Sequence, residues 1–532
     1  VSAPGRVGVP SPAPGTAPPE ASGDEALAAE EEQPWLRLDK RMLLVHPVNE
    51  VVRLLPVLLI SLVLGSRTGN HLWGLVAVAV LVIFALLRWF TTSYRLGPVH
   101  VQLRSGIFQK KLLSVPRNRI RSVDVEAGVL HRMLGLSVVR VGTGLRTGRP
   151  GESSKFELNA LDSRLVPALR VALLARHLDA QTLDERESAT PQSAGPPEAP
   201  EVEIAHWSPR WVRYAPFSVT GVLTVLTLVG VAFQYGVGEQ IARSSAVSRG
   251  LDSAQRLGTT AAVLAGLFLL LALASALACV RYLVAFSNLR VTDDGHVLHV
   301  SHGLLKTRQS TLDRTRLRGT TLHEPLLLRL AHGARLDAIM TGVAVERRHS
   351  SMLLPQAPHA EATRMMGIVL REQHFPTDVT GPLTEHGPRA RRRRYTRALL
   401  PVAVLAAADA VAAAFGASTG WPAVVVLVLL AGFAAALAHD RYRGLGHATP
   451  PGWLVTSSGS LDRGRHSLEA DGIVGWTVRQ TFFQRRAGVA TIVAATPAGT
   501  GHYEVIDLPV ERAWGLVESV APGAGDIWST TT

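Results

Sequence analysis

The stretch SGIFQKKLLSVPRNRIRSVDVEAGVLHRMLGLSVVRVGTG (105–144) decides the reading of this chain. Ahead of it runs the alternating segment VHVQL (99–103), and Ser105–Gly106 then turns the chain into a second apolar run. Alternation with a period of two, broken by a glycine, predicts a strand, a turn and a second strand. Ile120–Val125, Leu136–Val141 and Phe156–Leu158 predict further short strands, and Arg164–His177 carries Leu165, Leu169, Ala172 and Leu173 at helical spacing.

The same signature returns twice. At offsets of 197 and 156 residues, Gly106 coincides with Gly303 and Gly459, and Ile120 with Leu317 and Ile473. Leu130 coincides with Leu327 and Phe483, and Arg132 with Arg329 and Arg485. Gly135 matches Gly488, whereas the middle copy reaches Gly333 only by a slip of one residue. HVLHV (296–300) and GWLVT (452–456) take the place of VHVQL. Glu361–Glu372 and Val510–Val520 close the second and third copies as Arg164–His177 closes the first. One helix after six or seven short strands suits a small antiparallel sandwich or open barrel capped by a helix, not a doubly wound sheet.

Before each copy lies a pair of apolar stretches. They are 51–65 and 71–89, about 214–235 and 260–286, and about 399–415 and 421–439. About 20 apolar residues of helix cross a bilayer, and the second, third, fourth and sixth stretches meet that length. The first is short and carries Arg53 and Pro56, so it spans by reaching back toward Met42 or by tilting with Arg53 snorkelling. The fifth carries Asp409 near its middle, a costly position unless the carboxylate faces the bundle interior. No short basic region with a cleavage motif precedes the first stretch, so a cleaved signal peptide is not expected.

The domain plan follows. Residues 1–34 read as a disordered tail, 42–90 as hairpin 1, 91–180 as domain 1 and 181–206 as a linker. Residues 207–286 read as hairpin 2, 287–375 as domain 2 and 376–394 as a basic linker. Hairpin 3 is 395–440, domain 3 is 441–521, and 522–532 is a tail. Basic residues crowd the domain-side ends of the helices, Arg391, Arg392, Arg393 and Arg394 most densely, while the hairpin loops carry few. The positive-inside rule then puts both termini and all three domains of a six-span cell-membrane protein in the cytoplasm.

The composition of the 532 residues agrees. Only 18% are charged, against about 25% in an average soluble protein, despite a net charge of +13. A single cysteine, Cys279, excludes an intrachain disulfide and argues against a cysteine-based metal cluster. The sparse charge also argues against a nucleic-acid-binding tail protein.

Residues 105–144, directly after a hairpin, resemble the bacterial pleckstrin-homology-like (PH-like) membrane proteins. Gly106, Pro116, Ile120, Val123, Leu134, Gly135 and Leu136 carry the resemblance, and the internal offsets extend it over most of 42–180, 207–375 and 395–521. It implies a PH-like fold of seven strands and a C-terminal helix. It implies no established activity, cofactor or ligand, and gives no warrant for phosphoinositides. The expected fold is thus a multi-pass α-helical membrane protein with three PH-like domains.

No phosphate-binding loop, zinc-protease motif or nucleophile elbow occurs in the chain. No catalytic residue, metal ligand or cofactor is assigned. The basic positions are the stronger lead. Arg117, Arg119 and Arg121 alternate, which predicts one strand face, and they recur as Arg314, Arg316 and Arg318, with Lys111 recurring as Arg308. Such a face suits membrane lipids with anionic headgroups or an acidic partner. Solvated charge on an exposed strand is the competing reading, and both stay open. Arg391–Arg394 serve topology, headgroup attraction or both. The function expected is a non-enzymatic membrane-anchored scaffold that engages a partner protein, another membrane protein included, or the anionic inner leaflet. The alternative is a component of a transport, lipid-handling or resistance system, in which Asp409 and Arg53 are the intramembrane polar groups.

Overall fold

The computed structural model describes residues 33–37, 41, 91–97, 99–106, 110–116, 120, 122–142, 156–166, 201–217, 230, 259–342, 351–371, 380–416 and 420–524. The first two apolar stretches, most of the third, and Arg53, Arg117, Arg119 and Arg121 lie outside the described residues.

The first stretch of β structure holds β1 (Leu36–Arg37), β2 (Ser93–Leu96), β3 (His100–Ser105), β4 (Lys111–Pro116) and β5 (Ser122–Ala127). A one-turn helix α1 (Val129–Met133) leads to β6 (Leu136–Gly142) and β7 (Phe156–Asp162). The middle stretch holds β8 (Val202–His206), the long helix α2 (Thr259–Phe286), β9 (Arg290–Asp293), β10 (Val297–His302), β11 (Thr307–Asp313) and β12 (Leu317–Pro325). It continues with α3 (Leu326–Leu330), β13 (Gly333–Met340), β14 (Met352–Pro358) and α4 (His359–Arg371). The last opens with the paired helices α5 (Gly387–Ala414) and α6 (Trp421–Arg443). After them come β15 (Gly446–Ala448), β16 (Trp453–Ser458), β17 (Asp462–Glu469), β18 (Gly475–Arg479), α7 (Phe482–Ala487), β19 (Val489–Ala495), β20 (His502–Pro509) and α8 (Ala513–Val520).

All sheets are open and antiparallel, and two of them cross from one stretch to the next. The orders are β1-β2-β3-β4, then β7-β6-β5-β11-β10-β9-β8, then β14-β13-β12-β17-β16-β15, then β18-β19-β20. The expected sandwich or open barrel takes the form of open sheets, two of which are shared between neighbouring stretches. The physical reason is edge protection. An open sheet leaves unpaired N–H and C=O groups on its outer strands, and here the edges of β5 and β12 are covered by β11 and β17.

The recurrent glycines explain the hairpins. Gly106, Gly303 and Gly459 have φ of 130°, 109° and 107°, a region that L side chains rarely enter. A Cβ on Gly303 would lie 2.1 Å from the Lys306 carbonyl oxygen, and one on Gly459 would lie 2.1 Å from that of Asp462. The slip expected at Gly333 does not occur. His332 takes the left-handed conformation (φ 58°) where Gly135 (70°) and Gly488 (67°) do, so the offsets hold through the middle copy. Ile120 and Leu317 are buried at this shared core position, and Ile473 packs against the last core.

Composition places 181–206 in a linker, yet its last residues form β8, which pairs with β9 although residues 207–289 lie between them. β1 pairs with β2 in the same way, and Thr384 bridges His447 around α5 and α6. Three described segments, Leu264–Phe286, Gly387–Ala414 and Trp421–Arg443, are long and apolar enough to cross a membrane. Large apolar side chains such as Leu264, Phe268, Leu269, Val428 and Leu429 stand exposed along them, a face that water does not suit.

Candidate functional site

The two joints between neighbouring stretches share one register. In the first, Ala127, Glu126, Val125, Asp124 and Val123 face Thr307, Arg308, Gln309, Ser310 and Thr311. In the second, Glu324, His323, Leu322, Thr321 and Thr320 face Arg463, Gly464, Arg465, His466 and Ser467. Shifting the first set by 197 on one strand and 156 on the other reproduces the second set.

The chemistry of the joints differs. At the first, the carboxylates of Asp124 and Glu126 are buried. Lys306 Nζ lies 2.5 Å from Glu126, Arg140 also 2.5 Å, and Arg308 reaches Asp124 at 3.3 Å and Glu126 at 3.5 Å. Burial pushes the Glu126 carboxyl upward, but the Lys306 hydrogen bond with the charges of Arg140, Lys306 and Arg308 outweighs it, so Glu126 titrates below its ordinary range. At the second, Thr321 Oγ1 lies 3.0 Å from His466 Nδ1, and Arg318 pairs with Glu469 at 2.8 Å. Burial lowers His466 to about 4 and keeps it neutral at pH 7. Gly319 (φ 149°) lets the strands meet, since a Cβ there would lie 1.9 Å from the Ser467 carbonyl oxygen.

The basic residues singled out in the sequence do not share one face. Arg308 lies at the first joint. Arg314 and Arg316 fall in a 3-10 turn between β11 and β12, because the Asp313 side chain accepts a hydrogen bond from the Thr315 N–H and bends the chain there. Arg314 is buried against Asp293 at 2.7 Å, Arg316 pairs with Asp313 at 3.3 Å, and Arg318 sits on β12 at the second joint. The expectation of a single cationic strand face is thus corrected for this copy. Lys111 begins β4, the outer strand of the first sheet.

Arg391–Arg394 belong to the first turns of α5 rather than to a linker. Arg393 and Arg394 are drawn to Asp507, which is fully buried and sits at φ 60°; Arg394 lies 3.0 Å away and Gln484 Nε2 donates from 2.9 Å. Arg391 and Arg392 are exposed and line a groove that runs along α5 past Tyr395 to Leu399, Leu400 and Ala403. Its start is cationic and its far end apolar. Asp409 lies half-buried on α5. Among the described residues, no three His, Cys, Asp or Glu side chains gather as a metal-ligand set.

Sequence reasoning missed the acidic pair Asp124–Glu126, although the alternation D-V-E was the available signal. The recurrent arginine joins one stretch to the next. In the structure Arg132 Nη1 donates to the Leu304 carbonyl at 3.1 Å, and Arg329 pairs with Asp440 at 2.7 Å. Both partners belong to the following stretch, beside the ends of the apolar helices. Leu304 N–H donates to the Val284 carbonyl of α2, and Ser460 Oγ donates to Asp440 of α6. Around these helix ends Met133 (78%), Leu330 (68%) and Leu461 (61%) are exposed, as are Leu304 and Leu305. Phe482 (69%) and Phe483 (70%) extend the set on α7, which packs against α5.

Compared with known proteins, residues 51–180 and 400–522 each match the family model described as Bacterial PH domain. A bacterial PH-like domain family therefore covers two regions of the chain. No curated protein and no solved structure matches it.

Proposed function

We propose that the chain is a non-enzymatic, membrane-anchored scaffold. Three PH-like units, joined edge to edge, lie on the cytoplasmic face of a cell membrane, carried by three hairpins of six spans. They present surfaces to anionic lipid and to a partner protein. The observation that carries this reading is the pair of sheet joints, β5–β11 and β12–β17. An open sheet does not continue through a bilayer, so the joints support one aqueous side for all three units. The pairings β1–β2, β8–β9 and Thr384–His447 support an even number of crossings between the strands they join. The arginines at the sheet-side ends of α5 and α6 support the cytoplasmic side. The absence of an enzymatic role is supported by the use of the acids. Asp124, Glu126, Asp440 and Asp507 are engaged by arginine or lysine at contacts between elements. The groove along α5, cationic and then apolar, fits a phospholipid headgroup with part of its chain.

The test is a cysteine pair across the first joint, Val125→Cys with Gln309→Cys, in a Cys279→Ser background and in native membranes. The expected result is an intramolecular disulfide, with both cysteines shielded from a membrane-impermeant thiol reagent added outside the cell. Labelling of the two single cysteines from opposite sides of the membrane would overturn the proposal.

A further inference from the structure

Each joint is built from two unlike edges: the last strand of a first sheet (β11, β17) and the first strand of a second sheet (β5, β12). Among the described residues, two such edges remain outer strands. β4 is the counterpart of β11 and β17, and β18 is the counterpart of β5 and β12. The shared register assigns β4 its partners in advance. Positions 114, 113, 112, 111 and 110 hold the places of Thr311, Ser310, Gln309, Arg308 and Thr307, which face Val123, Asp124, Val125, Glu126 and Ala127.

We infer that β4 is a docking edge for a second polypeptide that offers an antiparallel strand with carboxylates at alternate positions, as β5 does at Asp124 and Glu126. The charge pattern selects this occupant. Lys111 holds the place of Arg308, whose guanidinium bridges Asp124 and Glu126 in the first joint, and the exposed Lys110 precedes it opposite the place of Ala127. Leu112, exposed to 60%, is the apolar surface that such a strand would cover. A second copy of this chain fits less well. Its available edge, β18, would bring Arg479 opposite Lys111 and Gln480 opposite Lys110, with Thr477 in the place of Asp124. Like charges directly opposite destabilise a pair of strands, and Arg479 is already committed to Glu504 at 2.6 Å. The inference deepens the scaffold reading and rests on it, since the docked strand would extend the same array by one more joint.

The test uses the full chain in lipid nanodiscs, with Leu112→Cys and Cys279→Ser. The probe is a synthetic peptide of residues 120–128, IRSVDVEAG, carrying Val125→Cys. In a thiol-exchange buffer the expected result is disulfide trapping at least about tenfold above that of the same peptide with Asp124→Lys and Glu126→Lys. Lys110→Glu with Lys111→Glu in the full chain reverses the preference between the two peptides. Equal trapping of both peptides, or none, overturns the inference and leaves the lysines as guards of an idle edge. A covalent dimer formed by chains carrying Leu112→Cys and chains carrying Val478→Cys, at the level expected for the acidic peptide, overturns it in favour of a second copy. The Val125→Cys/Gln309→Cys disulfide is measured in the same nanodiscs. If that cross-link forms and the peptide fails, only the docking edge falls. If both fail, the array falls with it.

Discussion

Asp507 shows how one residue ties a sheet to a long apolar helix. Its carboxylate is fully buried at the end of β20 and accepts hydrogen bonds from Arg393 and Gln484, with Arg394 paired to its other oxygen. Removing one partner of a buried ion pair leaves the other charge without compensation, at about 3–5 kcal/mol. Asp507→Ala is therefore expected to loosen the base of α5, read as faster hydrogen exchange over 502–509. Arg389→Ala, which breaks an exposed pair with Glu511, is expected to leave that exchange unchanged. Equal effects from the two variants would remove Asp507 from this role. The histidines give a pH dependence of definite sign. His447 Nδ1 lies 2.9 Å from His386 Nε2, whose Nδ1 lies 2.8 Å from the Ile506 carbonyl. Neutral rings satisfy this chain if each Nδ1–H donates onward. Burial lowers both histidines, His447 to about 4. The unfolded chain then binds the proton first, so stability rises with pH between about 4 and 6.5 and falls on acidification. Protection of 446–448, corrected for intrinsic exchange rates, is expected to drop between pH 7 and pH 4.5, on the order of 1 kcal/mol. His447→Asn flattens that profile. An unchanged profile in the variant would assign the acid sensitivity elsewhere.

At the scale of elements, the joints carry the specificity. Glu126→Lys puts a fourth cation among Lys306, Arg140 and Arg308, whereas Glu126→Gln keeps the shape. Breaking a buried charge pair by removing one partner costs several kcal/mol. The lysine variant is expected to abolish the Val125→Cys/Gln309→Cys cross-link, and Lys306→Glu with Glu126→Lys is expected to restore part of it. No restoration would mean that packing, not charge, holds the joint. The short helices α1 and α3 repeat this logic through the recurrent arginine. Arg132 and Arg329 reach into the following stretch, and Arg485 on α7 stands exposed. Much of this was legible in the sequence. The glycine turns and the strand alternation pointed to the hairpins, because a turn at positive φ favours a residue without a Cβ. The pairing between units was not legible. A period of two tells which face a residue occupies, not which strand lies beside it. The same limit explains Arg314 and Arg316: their spacing fitted a strand, and the cap from Asp313 made a turn. β8 was hidden by a charged, proline-rich run before it, and its register comes from β9.

For the whole molecule, the exposed apolar side chains raise the question of what covers them. Leu304, Leu305, Leu330, Leu461, Phe482 and Phe483 are large and exposed, yet they belong to turns and short helices beside the ends of the apolar helices, with arginines among them. Such a mixture suits the headgroup boundary, where apolar side chains sink about 5–10 Å and cations remain with the phosphates. The geometry offers an internal control. β10 runs from Val297 to His302, so the exposed His296 lies about 20 Å from the turn at Leu305 by the rise of a strand. Spin labels on single cysteines at 305, 330 and 483, in a Cys279→Ser background reconstituted in bilayers, are expected to collide with lipid-soluble oxygen more than with an aqueous relaxant. A label at 296 is expected to show the reverse. Phe482→Ser with Phe483→Ser then releases only the α7 end of the array, leaving the label at 305 at its original depth, because the contacts of that turn are with α2 and α1. A label at 305 as open to water as the one at 296 would mean that these side chains face a protein partner, and the array would stand off the bilayer on its helices.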